Sequence, residues 1–88
     1  MQILVICRPV PDGDQDKFRR LVPGETTALR DLKARGLLAQ AWSPGRPGAV
    51  LLLEVADEAA AAGIAEEFPL VQAGLITTET IPLHPIDL

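Results

Sequence analysis

QILVICR, residues 2–8, and AVLLLEV, residues 49–55, decide the fold. The first carries Ile3, Leu4, Val5, Ile6 and Cys7 without interruption. The second carries Ala49, Val50, Leu51, Leu52 and Leu53 before it reaches Glu54 and Val55. Successive side chains of a strand point to opposite faces, so a strand with one wet face alternates apolar with polar. Neither stretch alternates, so both faces of the sheet they build must be covered. The rest of the chain supplies only about two helical segments, enough for one face. The other face needs a surface that the chain does not contain. The simplest one is the same face of a second copy.

Length and composition lead to the same place. The 88 residues are expected to make one domain, residues 1–88. A chain this short buries only about 60% of the surface its unfolded form exposes, and small domains make up the deficit with disulfides, metals or oligomerisation. Cys7 is the only cysteine, so an intrachain disulfide is excluded. His84 is the only histidine, so no ordinary protein-only zinc site can be built and no metal is expected. Oligomerisation remains. The net charge of −4 disfavours nucleic acid, which demands a basic surface. The few aromatic residues do not alternate with basic ones as a base-stacking platform requires. No apolar run reaches the roughly 18 residues of a membrane span. The chain opens directly into a strand with no basic leader, which makes a reducing, cytoplasmic setting the expectation.

Punctuation along the chain orders the elements. Strand one, Gln2 to Arg8, ends at Pro9, Pro11 and the Asp12-Gly13 turn. A helical stretch begins near Asp14 or Asp16 and groups Phe18, Leu21 and Val22. Pro23-Gly24 is expected to break it, because proline donates no N–H and disfavours helical geometry at Val22. A second part, Glu25 to Arg35, sets Ala28, Leu29 and Leu32 on one stripe, and Gly36 closes it as a left-handed cap. Leu37 to Ser43 reads as strand two, SPGRPG as a hairpin turn, and AVLLLEV as strand three. Asp57 is the expected N-cap of a helix running to Phe68, ended by Pro69. A short apolar turn leads to strand four, LITTETIPL, rich in β-favouring threonine, and HPIDL is a tail. The order β-α-β-β-α-β is the ferredoxin-like pattern: an α+β fold with a four-stranded antiparallel sheet and two helices on one face. It leaves the opposite face bare, as the two-sided strands demand.

Several segments, taken in order, resemble the muconolactone isomerase-like family of the dimeric α/β-barrel superfamily. They are ETTALRDLKARG at 25–36, Trp42, AVLLLEV with the acidic residue after it, FPL at 68–70 and TIPLHP at 80–85. The resemblance covers most of the chain. It implies a ferredoxin-like subunit that pairs sheet to sheet as a homodimer or a higher multiple. It further implies a cofactor-free reaction in which a proton moves within an unsaturated lactone. Glu25 falls at a glutamate of the isomerase helix, and Trp42 matches a tryptophan. Two features depart from the isomerase pattern. The SPGRPG turn is shorter and richer in proline, and Val5 and Cys7 stand where the enzyme carries polar groups.

Glu25 is the leading candidate for a catalytic role, as a general acid or base whose carboxyl needs burial to lift its pKa toward neutrality. Its structural alternative is to stabilise the first turn of a helix. Arg8 closes strand one on the face of Leu4 and Ile6. It is a candidate clamp for a substrate carboxylate, or a partner for Glu54 or Glu79. Glu54 ends strand three on the face of Val50 and Leu52, toward an inter-subunit cavity or solvent. Trp42 is a candidate pocket or interface wall. Cys7 reads as an inert core thiol, Arg46 as a solvated hairpin residue, and His84 lacks an evident acidic partner. No phosphate loop, nucleophile elbow or metal motif is present, so no cofactor is expected. Two functions stay open. One is a cofactor-independent isomerase acting on a small apolar, or carboxylated, lactone or enol. The other is a non-catalytic dimer that binds a small molecule or assists a pathway enzyme. The pocket is expected between helix one and the sheet, or within the dimer barrel.

Overall fold

The element order is β1 (Gln2–Pro9), α1 (Gln15–Ala34), β2 (Leu38–Trp42), β3 (Ala49–Glu54), α2 (Glu58–Glu66), α3 (Pro69–Gln72) and β4 (Ile76–Leu83), in a computed structural model that describes all of residues 1–88. The strands form one antiparallel sheet in the order β2-β3-β1-β4. This is the ferredoxin-like arrangement, with β1 and β3, the two strands apolar on both faces, at its centre.

The register assigns the two faces. Ile3, Val5 and Cys7 of β1, Leu51 and Leu53 of β3 and Ile76 of β4 are buried beneath the helices. Leu32 of α1, Leu38 of β2, Ala61 and Ala65 of α2, Phe68, Leu70 and Leu75 complete that core. Ala61 and Ala65 lie one helical turn apart, and their small side chains let α2 approach the sheet closely. Thr80 of β4 donates a hydrogen bond to Glu58 Oε2 at 2.7 Å, which ties the start of α2 to the sheet edge. The opposite face carries Leu4 and Ile6, half-buried, with Val50, Leu52 and Ile81 beside them. Leu4 stands directly across from Leu52 on one side and Ile81 on the other. No element of the chain covers this face.

Caps explain the helix boundaries. Asp14 accepts from the Lys17 N–H at 3.0 Å and Asp57 from the Ala60 N–H at 2.8 Å, each satisfying a donor that a helix start leaves free. At the far end of α1, Gly36 has φ +75° and its N–H reaches the Lys33 carbonyl, while the Leu37 N–H reaches that of Leu32. Gly74 (φ +73°) repeats this pair of bonds after α3, from Gly74 to Val71 and Leu75 to Leu70. Both are Schellman closures, and each turns the chain directly into a strand.

Two expectations are corrected. The break at Pro23 does not occur: α1 runs continuously from Gln15 to Ala34 with Pro23 inside it. Proline removes one intrahelical bond, but its ring faces solvent. Phe18, Leu21, Leu29 and Leu32, on both sides of it, are anchored to one core. Tertiary packing holds the two halves collinear where local preference would part them. The segment after Pro69 is not a simple turn either. Pro69 opens the helical turn α3, where its missing N–H costs nothing, rather than merely ending α2.

Candidate functional site

Phe18, Val22, Glu25 and Leu29 follow one another at spacings of four, three and four residues, so the unbroken α1 presents them as a single stripe. That stripe faces a cavity of about 280 Å³ between α1 and the helix-side face of the sheet. Cys7 of β1 and Leu51 of β3 line the sheet side. Leu70 of α3 contributes another part of the wall, and Pro47 and Gly48 of the β2–β3 turn line it as well. The lining is mostly apolar. Glu25 is its only charged group, and Thr26 adds a hydroxyl.

Glu25 is held in place by the chain itself. Its Oε1 accepts the Leu70 N–H at 3.1 Å. That N–H is one of the free donors at the start of α3, where Phe68 makes no side-chain cap bond. The Glu25 carboxylate therefore caps α3 from another helix. Gly24 lies beside Pro69, whose Cγ would be in ordinary contact, at 3.7 Å, with a Cβ at that position. Burial raises the Glu25 pKa, and the Leu70 hydrogen bond opposes part of that rise. Cys7, in the same cavity, is pushed up to about 11, first by burial and then by the negative charge of Glu25. At neutral pH Cys7 is a thiol, not a nucleophilic thiolate. The cavity thus offers one proton-exchanging group with an elevated pKa in apolar surroundings.

The other candidates lie elsewhere. Arg8, Trp42 and Glu54 are on the uncovered face of the sheet, opposite the side that bears Glu25. Arg8 pairs with Glu79 across the β1–β4 ladder at 2.9 Å. Glu54 accepts from Gln2 Nε2 at 3.0 Å. Trp42 stands across from Val50 and is 49% exposed. Within one chain, these three do not converge with Glu25. His84 lies in the exposed tail. No three His, Cys, Asp or Glu side chains are grouped to hold a metal ion, and no helix is long and apolar enough to cross a membrane. A wider groove of about 400 Å³ runs between α1 and α2, but its rim residues Asp31 and Arg35 already pair with each other at 3.2 Å. Sequence reasoning missed Phe18, Thr26 and Cys7 as cavity residues. The spacing of Phe18 and Val22 from Glu25 carried the signal, and reading Pro23 as a break hid it.

This architecture has solved counterparts. A crystal structure of muconolactone isomerase superposes with a TM-score of 0.79, at 22% identity, over 100% of this chain and 95% of that one. The chain has the muconolactone isomerase fold. The same fold is found in 5-chloro-2-hydroxyhydroquinone dehydrochlorinase from Burkholderia phenoliruptrix AC1100, solved in complex with 2,5-dihydroxybenzoquinone. There the TM-score is 0.74 at 19% identity, over 96% of this chain and 94% of that one. No protein-family profile matches the sequence, and no curated protein sequence matches it. The likeness to muconolactone isomerase is therefore one of fold, carried by the sheet order and the helices packed on one face.

Proposed function

We propose that this chain is a muconolactone isomerase-like enzyme that moves a proton on a small lactone or enol without a cofactor, with Glu25 as the group that carries the proton. The observation that supports this most is the placement of Glu25. It is a half-buried carboxyl with a raised pKa and the only charge in an apolar cavity. A base that takes a proton from carbon beside a carbonyl and returns it along the conjugated system needs a pKa lifted toward that of its working medium. Oε1 is engaged by Leu70 and fixes the carboxyl, so the second oxygen does the exchange. The proton leaves one carbon as the double bond shifts and is delivered to another, so Glu25 ends as it began. Both structural counterparts are named for small oxygenated compounds, a lactone and a hydroquinone, which accords with a mostly apolar cavity of this size.

Assembly belongs to the same proposal. Leu4, Ile6, Val50, Leu52 and Ile81 form an apolar face that no part of the chain covers. A second copy laid sheet to sheet would bury it as a homodimer, or a multiple of one, in a cytoplasmic setting. Arg8, Trp42 and Glu54 would then border the inter-subunit space, where a substrate-binding role remains open to them. The test is turnover of muconolactone by the wild-type protein and by Glu25→Gln. The substitution should not lower the melting temperature and should reduce turnover by about 10²-fold or more. Full turnover by Glu25→Gln would remove the catalytic assignment. A second reading is a binding or pathway-accessory dimer, favoured by the use of Glu25 as a cap for α3. Tight binding of a small apolar ligand with no turnover of any lactone or enol would select it.

A further inference from the structure

Thr26 and Thr27 are neighbours on α1, and their hydroxyls are used differently. Thr27 is exposed, and its Oγ1 donates to the Pro23 carbonyl one turn back at 3.0 Å, the common recourse of a threonine inside a helix. Thr26 Oγ1 takes part in none of the chain's hydrogen bonds. Thr26 follows Val22 by four residues and precedes Leu29 by three, so it belongs to the stripe of α1 that faces the Glu25 cavity. It lines that cavity and is half-buried there. No sealed side-chain oxygen or nitrogen of the chain lacks a partner, so the free Oγ1 is open rather than packed against carbon.

No Lys, Arg or His lines the cavity. While Glu25 is ionised, its side chains offer a ligand two donors, the Thr26 hydroxyl on the helix and the Cys7 thiol on the sheet. A thiol donates weakly, so the hydroxyl is the better of the two. The chemistry at Glu25 calls for such a donor. When a carboxylate takes a proton from carbon beside a carbonyl, the carboxyl becomes neutral and the negative charge passes to the carbonyl oxygen. An unpaired charge in apolar surroundings is costly, and a fixed donor aimed at the oxygen where charge develops offsets that cost. Glu25 and Thr26 are consecutive on one rigid helix, so base and donor keep a constant separation.

We propose that Thr26 is a second catalytic residue of this cavity, whose Oγ1–H donates a hydrogen bond to the ligand oxygen that turns anionic as Glu25 takes the proton. The assignment rests on the reading of the Glu25 cavity as the site of proton transfer. The C–H bond breaks and its proton goes to Glu25. The electron pair left on carbon forms the enolate double bond, and the carbonyl π pair moves onto oxygen. Thr26 holds that oxygen without giving up its own proton. Return of the Glu25 proton to the far carbon restores the carbonyl and releases the hydrogen bond.

The test is calorimetric binding of tetronic acid, a five-membered lactone whose enol is ionised at neutral pH and so stands in for the enolate. Wild-type protein should bind it with uptake of a proton by Glu25, read by repeating the titration in buffers of different ionisation heat. Thr26→Val keeps the shape and removes the hydroxyl. It should weaken tetronate binding by about 10-fold or more, with the proton uptake retained and the melting temperature not lowered, because the hydroxyl bonds nothing in the fold. Thr26→Ser keeps a hydroxyl and should bind close to wild type. Thr27→Val removes a hydroxyl outside the cavity and should leave tetronate affinity unchanged. Full affinity in Thr26→Val, an equal loss in Thr27→Val, or no binding of tetronate by wild type would overturn the assignment. Turnover separates it from the isomerase reading. If wild type turns over no lactone while tetronate affinity depends on the Thr26 hydroxyl, the isomerase reading fails and Thr26 stands as the donor to the bound oxyanion. If wild type turns over muconolactone and Thr26→Val matches it, the isomerase reading stands and the Thr26 assignment falls.

Discussion

Glu25 combines a structural contact with an unfavourable environment. Its Oε1 accepts the Leu70 N–H, yet burial raises its pKa above the ordinary value of 4.5. These two effects can be separated by substitution. Gln keeps an acceptor for Leu70 and removes the charge, whereas Leu removes both. Glu25→Leu should destabilise by about 1–3 kcal/mol, the cost of leaving a half-buried donor unpaired. Glu25→Gln should match or exceed wild type at neutral pH. The sign with pH follows from linkage. Below the ordinary value the carboxyl is protonated in both folded and unfolded chains and carries no penalty. As pH rises, the unfolded chain ionises first, so the stability linked to protonated Glu25 is lost on the way up through the folded-state pKa. Urea melts should therefore show wild type and Glu25→Gln converging near about pH 4 and the variant gaining by about pH 8. A gap that is constant with pH would show that burial does not govern this carboxyl.

At the scale of elements, Pro23 and Gly48 are opposite cases. Pro23 sits inside α1 against local preference and is solvent-exposed, and Thr27 Oγ1 donates to its carbonyl at 3.0 Å. Pro23→Ala would restore the missing N–H and should raise stability by about 1–3 kcal/mol in chemical denaturation. A loss of stability instead would mean that the ring contributes contacts that outweigh the missing bond. Gly48 adopts a backbone conformation that a side chain resists, directly against the Cys7 carbonyl. Gly48→Ala should cost about 2–4 kcal/mol and displace the β2–β3 turn from β1. The signals in the sequence differ in kind here. The Gly36 cap and the Asp57 N-cap are local, made by residues within one turn of each other, and they were legible. The continuity of α1 was not, because it depends on Phe18 and Leu29 packing on strands distant in the chain.

For the molecule as a whole, the uncovered sheet face is the dominant feature. Burying Leu4, Ile6, Val50 and Leu52 against a second copy would contribute about 1.5–3 kcal/mol for each fully buried side chain, a large sum for a chain of 88 residues. Leu52→Asp places a charge at the centre of that face, between Leu4 and Gln40. Sedimentation should show a dimer or larger species for wild type, and loss of assembly, with loss of stability, for the variant. A wild-type chain that stays folded and monomeric at micromolar concentration would remove the proposed interface.

The sequence by itself determined the ferredoxin-like order, because that order follows from signals read one segment at a time. These are two strands apolar on both faces, Pro-Gly turns, and caps at Asp57 and Gly36. It also singled out Glu25, through a local match around ETTALRDLKARG. It could not say which side chains of β1 faced the helices. Alternation assigns residues to two sets, but only the packing of α1 and α2 chose Ile3, Val5 and Cys7 for the core. Nor could it assemble the site. The contact between Glu25 and Leu70 spans 45 residues. The approach of Gly48 to Cys7 at the cavity wall requires the β2–β3 turn to fold back on β1. Such contacts leave no periodicity in a sequence, since the groups that meet belong to elements whose spacing along the chain is set by intervening folds. Tertiary structure alone placed Glu25 on one side of the sheet and Arg8, Trp42 and Glu54 on the other.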